Sequence, residues 1–240
     1  MDSSISAQLI ELNRDFYTRF GESFSATRQR LQPGVWRVLE KLNGDEDILD
    51  LGCGNGELSR ELAKRGHRGS YLGLDFSLPL LQSAESQPDG FSTTFMQVDL
   101  ATLDKFSILD DLSFDFVFAF AVMHHIPSLS LRLNILKKVT RWLKRDGHFV
   151  HSNWQFLNSE KLKARIQDWS KAGLSPEDVD ENDHLLDWRN GGEGLRYVHH
   201  FSRIELQELA KLSGFQIEDT FYSDGESGNL GLYQVWKVRS

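Results

Sequence analysis

Residues 50–56 read Asp-Leu-Gly-Cys-Gly-Asn-Gly (DLGCGNG), and the fold of the chain turns on them. They close a short apolar run, DILDL, and open ELSRELAKRG (57–66), where Leu58, Leu62 and alternating charges predict an amphipathic helix stopped by Gly66. Glycines at 52, 54 and 56 let the chain turn tightly and let a ligand approach the backbone with no Cβ in the way. The helix start beyond them offers unpaired N–H donors to polar ligand groups. Asp75 ends the next predicted strand, SYLGLDFS (70–77), where an acid at the strand tip can accept from both hydroxyls of a ribose. Together these features predict a nucleoside-containing ligand. Dinucleotide binders with GxGxxG share this logic and are the first rival. Here the pattern is GxGxG, with an acid two residues before the first glycine and no third glycine placed for close helix packing.

Outward from this motif, the first forty-odd residues read as helices. Leu9, Leu12, Phe16 and Phe20 recur at three- and four-residue spacing, as do Val35, Leu39 and Leu42, with FGESFSATR (20–28) between them as a loop or cap. LPLLQSAESQ (78–87) predicts a helix and FSTTFMQVDL (91–100) a strand. FDFVFAFAVM (114–123) is apolar without alternation, as a strand buried on both faces is. LRLNILKKVTRWLKRDG (131–147) predicts an amphipathic helix stopped by Gly147, and HFVHSNW (148–154) a fifth strand. Strands alternating with helices predict an α/β fold, with a mostly parallel sheet covered by helices on both faces. After Trp154 the pattern predicts a helix at 159–173, an acidic loop at 175–188 and a Gly-rich turn into a strand at 189–202. A helix with a Ser202/Glu205 capping box follows, then two antiparallel strands. The organisation expected is a single domain: a helical cap (1–45), a ligand-binding core (46–154), an insertion or lid (155–195), and C-terminal strands and helix (196–240).

Composition narrows the function. The chain has 240 residues and one cysteine, Cys53, which excludes an internal disulfide framework and a cysteine-based zinc cluster. No metal site is expected. The N-terminus carries no basic, apolar leader, and the longest apolar run, Phe116 to Met123, is far short of the ~20 residues of a spanning helix. The expectation is a cytoplasmic protein with no membrane partner. The net charge of -8 weighs against nucleic acid. Yet six acids gather between Glu177 and Asp187, while bases concentrate at 60–68, 137–145 and 161–171, so the total hides a local pattern.

DLGCGNG, GLDFS (73–77), VDL (98–100) and FAFAVMHHIP (118–127) resemble the motifs of class I S-adenosyl-L-methionine-dependent methyltransferases. That resemblance implies a Rossmann-like, seven-stranded sheet, with S-adenosyl-L-methionine as donor and S-adenosyl-L-homocysteine as product. It implies that Asp50, Gly52, Cys53 and Gly54 border the methionine end. Asp75 would hold the ribose beside Ser77, Phe76 would lie against adenine, Asp99 and Leu100 would meet the adenine edge, and Phe120 and Ala121 would line the pocket. The bland alternatives are Phe76 as core and Asp99 as a helix cap. Cys53 reads as a small loop residue, not a nucleophile.

A narrower resemblance rests on FSATRQRLQPGV (24–35), AVMHHIP (121–127), LLDWR (185–189) and RYVHHFSRIELQEL (196–209), which look like the wobble-uridine tRNA carboxyl methyltransferases. Gln32 stands where that family commonly has Trp. The resemblance implies methyl esterification of a carboxymethyl group in a tRNA anticodon loop, with a helper subunit conceivable. The rivals are a small-molecule O- or N-methyltransferase and a non-catalytic cofactor-binding scaffold. A carboxylate is already ionised at neutral pH and needs no general base, only partners that orient it. Arg28, His125, Arg196, Tyr197 and His199 are the available types. Arg28 can equally bind the carboxylate of the cofactor or pair on the surface. His125 is expected to face the site, with His124 and His200 structural; Tyr197 and His199 share strand parity and so one face. Trp188 and Arg189 can orient a base or belong to the core.

Overall fold

A computed structural model of the chain describes residues 1–26, 30–84, 91–105 and 113–239. In chain order its first elements are α1 (Ser3–Ala26), α2 (Pro33–Leu39), β1 (Ile48–Leu51), α3 (Glu57–Lys64), β2 (Ser70–Asp75), α4 (Leu78–Ala84), β3 (Ser92–Gln97) and β4 (Phe114–Phe120). There follow α5 (Leu129–Trp142), β5 (Leu143–Trp154), α6 (Glu160–Lys163), β6 (Ile166–Gln167), β7 (Asp183–Trp188) and β8 (Gly194–His199). The last are α7 (Arg203–Leu212), β9 (Phe215–Ser223) and β10 (Gly231–Val238).

Seven strands form one sheet in the order β3-β2-β1-β4-β5-β10-β9. The first five are parallel, and β10 runs antiparallel to both β5 and β9. This is the Rossmann-like α/β architecture expected. Alternating side chains explain why both faces are covered. Leu49, Leu51, Val117, Ala119 and Phe149 pack on one face with Ile135 and Val139 of α5 and Leu206 of α7. Ile48, Phe118 and Val150 pack on the other with Val35 and Leu39 of α2 and Leu58 and Leu62 of α3.

Several local expectations are corrected. α1 runs unbroken through Gly21, so 20–26 is helix, not loop; residues 27 and 28 lie outside the described residues. Its apolar stripe packs over its whole length: Leu9 on Trp169, Leu185 and Tyr197, and Phe16 and Phe20 on Trp188. That burial outweighs the cost of about 1 kcal/mol of a helical glycine. The helix predicted to stop at Gly147 ends at Trp142 instead, and Leu143 to Gly147 begin β5. Gly147 is required there for another reason: a Cβ would lie 2.8 Å from the Phe114 carbonyl oxygen. The helix predicted over 159–173 is the single turn α6. Ile166 and Gln167 then pair with Leu186 and Leu185 of β7, because the apolar residues Trp169 and Leu174 are drawn into the core under α1. The acidic loop is half strand: β6, β7 and β8 make a separate antiparallel sheet. Three of its acids are occupied locally: Asp178 in a capping box with Ser175, Asp180 on the Met1 amine, and Asp183 buried.

Candidate active site

The strand order reverses between β1 and β4, and a cavity of about 310 Å³ opens there, at the carboxyl ends of the parallel strands. Its floor is the 50–56 turn. Gly52 has φ +73° and Gly54 φ +56°, and a Cβ on Gly52 would lie 2.5 Å from Val122 Cγ2. Only glycine meets both demands at position 52. Gly54 N–H donates to Asp75 Oδ2 at 2.9 Å and Ser77 N–H to Asp75 Oδ1 at 2.8 Å. The carboxylate is thereby aimed with a lone pair on each oxygen still open to a diol. Burial holds the Asp75 carboxyl above its ordinary range, partly offset by these backbone donors.

Asp50 lies at the end of β1, buried, and accepts from the Tyr71 hydroxyl at 2.6 Å. Burial pushes its carboxyl up to about 7, Tyr71 opposes that shift, and the charge of Asp75 adds to it. A buried carboxyl whose side-chain donor is a neutral phenol suits a cationic ligand group. Cys53 is buried, its thiol pushed far up by desolvation, which agrees with a packing role.

Phe76, Asp99, Leu100, Phe120 and Ala121 all border the cavity. Asp99 is a cap that also borders the cavity. Its Oδ1 accepts from Ala101 N–H at 2.8 Å, capping a 3-10 turn, while Oδ2 takes Arg14 Nε at 2.7 Å and a second bond from the same guanidinium. Ala121 is a non-glycine residue at φ +58°, held there by its N–H donating to the carbonyl and hydroxyl oxygens of Ser152. Strain of this kind turns the end of β4 toward the cavity.

On the opposite wall, His125 lines the cavity and His124 is buried away from it, accepting from Trp154 N–H at 3.3 Å. His125 Nε2 is 2.9 Å from the Tyr17 hydroxyl, and Nδ1 is 3.2 Å from the Tyr197 carbonyl oxygen. Arg28 lies outside the described residues, whereas its near neighbour Arg30 borders the cavity.

Arg196, Tyr197 and His199 were expected to touch the acceptor, and here the structure corrects the sequence. None borders the cavity; each is at most 3% exposed. Tyr197 donates to Asp183 at 2.7 Å and accepts from Arg132 at 3.0 Å. His199 joins Asp183 at 2.7 Å to Glu205 at 2.8 Å. Their polar atoms are engaged with one another because a buried polar group without a partner costs about 1–3 kcal/mol. Arg132 of this network also donates to the Ile126 carbonyl at 2.9 Å. The cluster therefore holds the His125 turn from behind. Arg196 sits among Trp154, Phe16 and Trp188, its Cζ 4.7 Å from the Trp154 ring centroid. Trp188 is core, edge-on to Phe16, and Arg189 pairs with Asp187 at 2.6 Å.

The sequence motifs passed over Asn13, Arg14 and Tyr17 of α1, which line the cavity. Their spacing, with Ile10, places them on one helix face, and that polar and aromatic stripe was the available signal. Asp224 and Tyr233 at the C-terminal hairpin were also missed; the Tyr233 hydroxyl donates to Asp224 at 2.7 Å, and Gly34 N–H donates to the other carboxylate oxygen at 3.0 Å.

A family model described as a methyltransferase domain matches residues 42–198. A protein of Encephalitozoon cuniculi named as a methyltransferase is 31% identical over 210 residues, covering 85% of this chain and 87% of that protein. The tRNA (carboxymethyluridine(34)-5-O)-methyltransferase of Schizosaccharomyces pombe is 24% identical over 223 residues, 86% of this chain and 89% of its own. Among solved structures, a SAM-dependent methyltransferase from Methanosarcina mazei superposes with a TM-score of 0.66 at 25% identity. It covers 88% of this chain and 99% of that one.

Proposed function

The chain belongs to the methyltransferase-domain family and is an S-adenosyl-L-methionine-dependent methyltransferase, and from that premise we propose that it methylates a carboxylate oxygen, that of the carboxymethyl group on a wobble uridine of tRNA. The residues present fit the donor. Asp75 offers two open lone pairs to the ribose hydroxyls, Phe76 an apolar face to adenine, and Asp50 a buried carboxylate to the cationic methionine end. When bound, S-adenosyl-L-methionine supplies an electrophilic methyl group on a sulfonium. The task left to the chain is alignment. A carboxylate is ionised at neutral pH, so the wall formed by Tyr17, His125 and Arg30 has to orient it and exclude water rather than deprotonate it.

What supports the tRNA reading is a convergence of segments. The stretches 121–127 and 196–201, which carry the narrower resemblance, meet at the cavity wall where His125 Nδ1 faces the Tyr197 carbonyl. The acidic loop weighs less against RNA than its sequence implied, since Asp178, Asp180 and Asp183 are engaged within the fold. Lys137, Arg141 and Arg145 are exposed on and after α5.

The deciding experiment incubates the protein with methyl-labelled donor and unfractionated tRNA, and in parallel with small carboxylic acids, phenols and amines. Alkali-labile label in tRNA, as a methyl ester gives, is the expected result. Label confined to the small molecules overturns the tRNA acceptor and leaves the methyltransferase assignment standing.

A further inference from the structure

No sequence motif singles out Tyr17, yet its hydroxyl occupies a particular place. His125 Nδ1 faces a carbonyl oxygen at 3.2 Å, an atom that only accepts, so the neutral ring carries its proton on Nδ1 and its lone pair on Nε2. Tyr17 is then the donor in its 2.9 Å contact with Nε2. The result is a directed pair of bonds: Tyr17 O–H to His125 Nε2, and His125 Nδ1–H to the Tyr197 carbonyl. Exchanging the tautomer of the neutral ring would set the Nδ1 lone pair against the Tyr197 carbonyl oxygen, two acceptors facing each other.

Arg196 lies behind this wall. Arg196 is 3% exposed and closed in by the rings of Trp154, Phe16 and Trp188, whereas Tyr17 and His125 reach the cavity. Asn13, one helical turn before Tyr17, sets the register. Its Oδ1 accepts from Tyr197 N–H at 2.8 Å, and its Nδ2 donates to the carbonyls of Tyr197 at 3.1 Å and His125 at 3.3 Å. Tyr17 also lies edge-on to Phe76 at 5.9 Å, so the same ring bridges the nucleoside end of the cavity and the His125 wall.

We propose that Tyr17 is the positioning residue of the methyl-transfer site, and that its hydroxyl locks the His125 ring in one tautomer and one orientation on the acceptor side. This rests on the reading that His125 faces the methyl acceptor. Removing the hydroxyl frees Nε2, and the ring can then exchange tautomers and rotate. An in-line transfer is sensitive to such displacement.

Two measurements test the proposal. In protein labelled with 15N-histidine, the His125 ring shows the Nδ1–H tautomer, and Tyr17→Phe converts it to a mixture or to Nε2–H. A wild-type ring protonated on Nε2, or His125 signals unchanged in Tyr17→Phe, overturns the proposal, and neither observation needs an acceptor. With whichever acceptor takes label, Tyr17→Phe lowers kcat at least about tenfold and leaves the donor Kd within about threefold, while Tyr17→Phe/His125→Ala is no slower than His125→Ala alone. Additive losses, or a weakened donor Kd with kcat unchanged, overturn it as well. If no pool takes label, the acceptor reading fails and the tautomer measurement still decides the role of Tyr17.

Discussion

The Tyr71 hydroxyl donates to Asp50 across 2.6 Å in the interior of the sheet, joining β2 to the carboxylate at the end of β1. Desolvation outweighs this hydrogen bond, so Asp50 holds its proton up to about pH 7. A cation bound beside it favours the ionised form. Donor affinity therefore rises as pH increases toward 7 and levels off above it, with a limiting slope of about tenfold per pH unit below. Calorimetry between pH 5.5 and 8.5, in buffers of different ionisation heat, should count the proton released. An affinity that does not change across that range contradicts the assignment.

The same shift bears on the empty protein with a definite sign. The folded-state carboxyl is raised above its ordinary value of 3.8, so its contribution to stability is fully present below that pH. It is lost as pH rises to about 7. Asp50→Asn removes this dependence. Urea midpoints of the variant, taken between pH 5 and 8, should fall less with pH than those of the wild type.

Gly52 and Gly66 share a left-handed backbone but not an environment. With φ of +73° and +72°, each disfavours an L side chain by about 1 kcal/mol or more. A Cβ at 66 meets nothing within 4 Å, whereas one at 52 strikes Val122 beside the cavity. Gly66→Ala should lose only that strain energy and keep donor binding. Gly52→Ala should lose more stability and most of the binding, as denaturation midpoints and calorimetry will show.

Asp75 is held by two backbone donors and needs no side-chain partner to keep its aim. Asp75→Ala removes both ribose acceptors and should weaken the donor at least about tenfold with little loss of helix or sheet signal, since a pair of charge-assisted hydrogen bonds is at stake. Equal donor affinity in the two proteins would place the ribose elsewhere.

Arg132 is 2% exposed and bonds Ile126, Tyr197 and Glu205. Arg132→Met leaves Asp183 and Glu205, on either side of His199, without their arginine, an imbalance of about 3–5 kcal/mol for a buried pair broken on one side. Urea denaturation measures the loss. Tyr197→Phe, which deletes one hydroxyl and keeps the cation, should lose roughly 1–3 kcal/mol.

Residues close in sequence were read correctly where their chemistry is local. The turn at 50–56, Asp75 and the apolar strand at 114–120 announce themselves by glycine placement, offset and unbroken hydrophobicity, and the parallel sheet follows. The RYVHHF stretch was misjudged because it is polar and looks chemical. Whether a tyrosine or histidine meets a ligand or an aspartate depends on what the fold brings opposite it, and Asp183 and Arg132 come from elements that no spacing rule connects.

The amino-acid sequence alone thus determined the α/β sheet, the glycine turn at 50–56 and the place of Asp75 beside it at the cavity, since each depends on backbone conformations that neighbouring residues impose. Tertiary structure alone decided the wall that Tyr17 and His125 form. α1 carries Arg14 and Tyr17 to the cavity because its apolar stripe must be buried against the second sheet, and only that packing sets the Tyr17 hydroxyl against His125. Long-range burial selects partners that the order of residues along the chain does not encode.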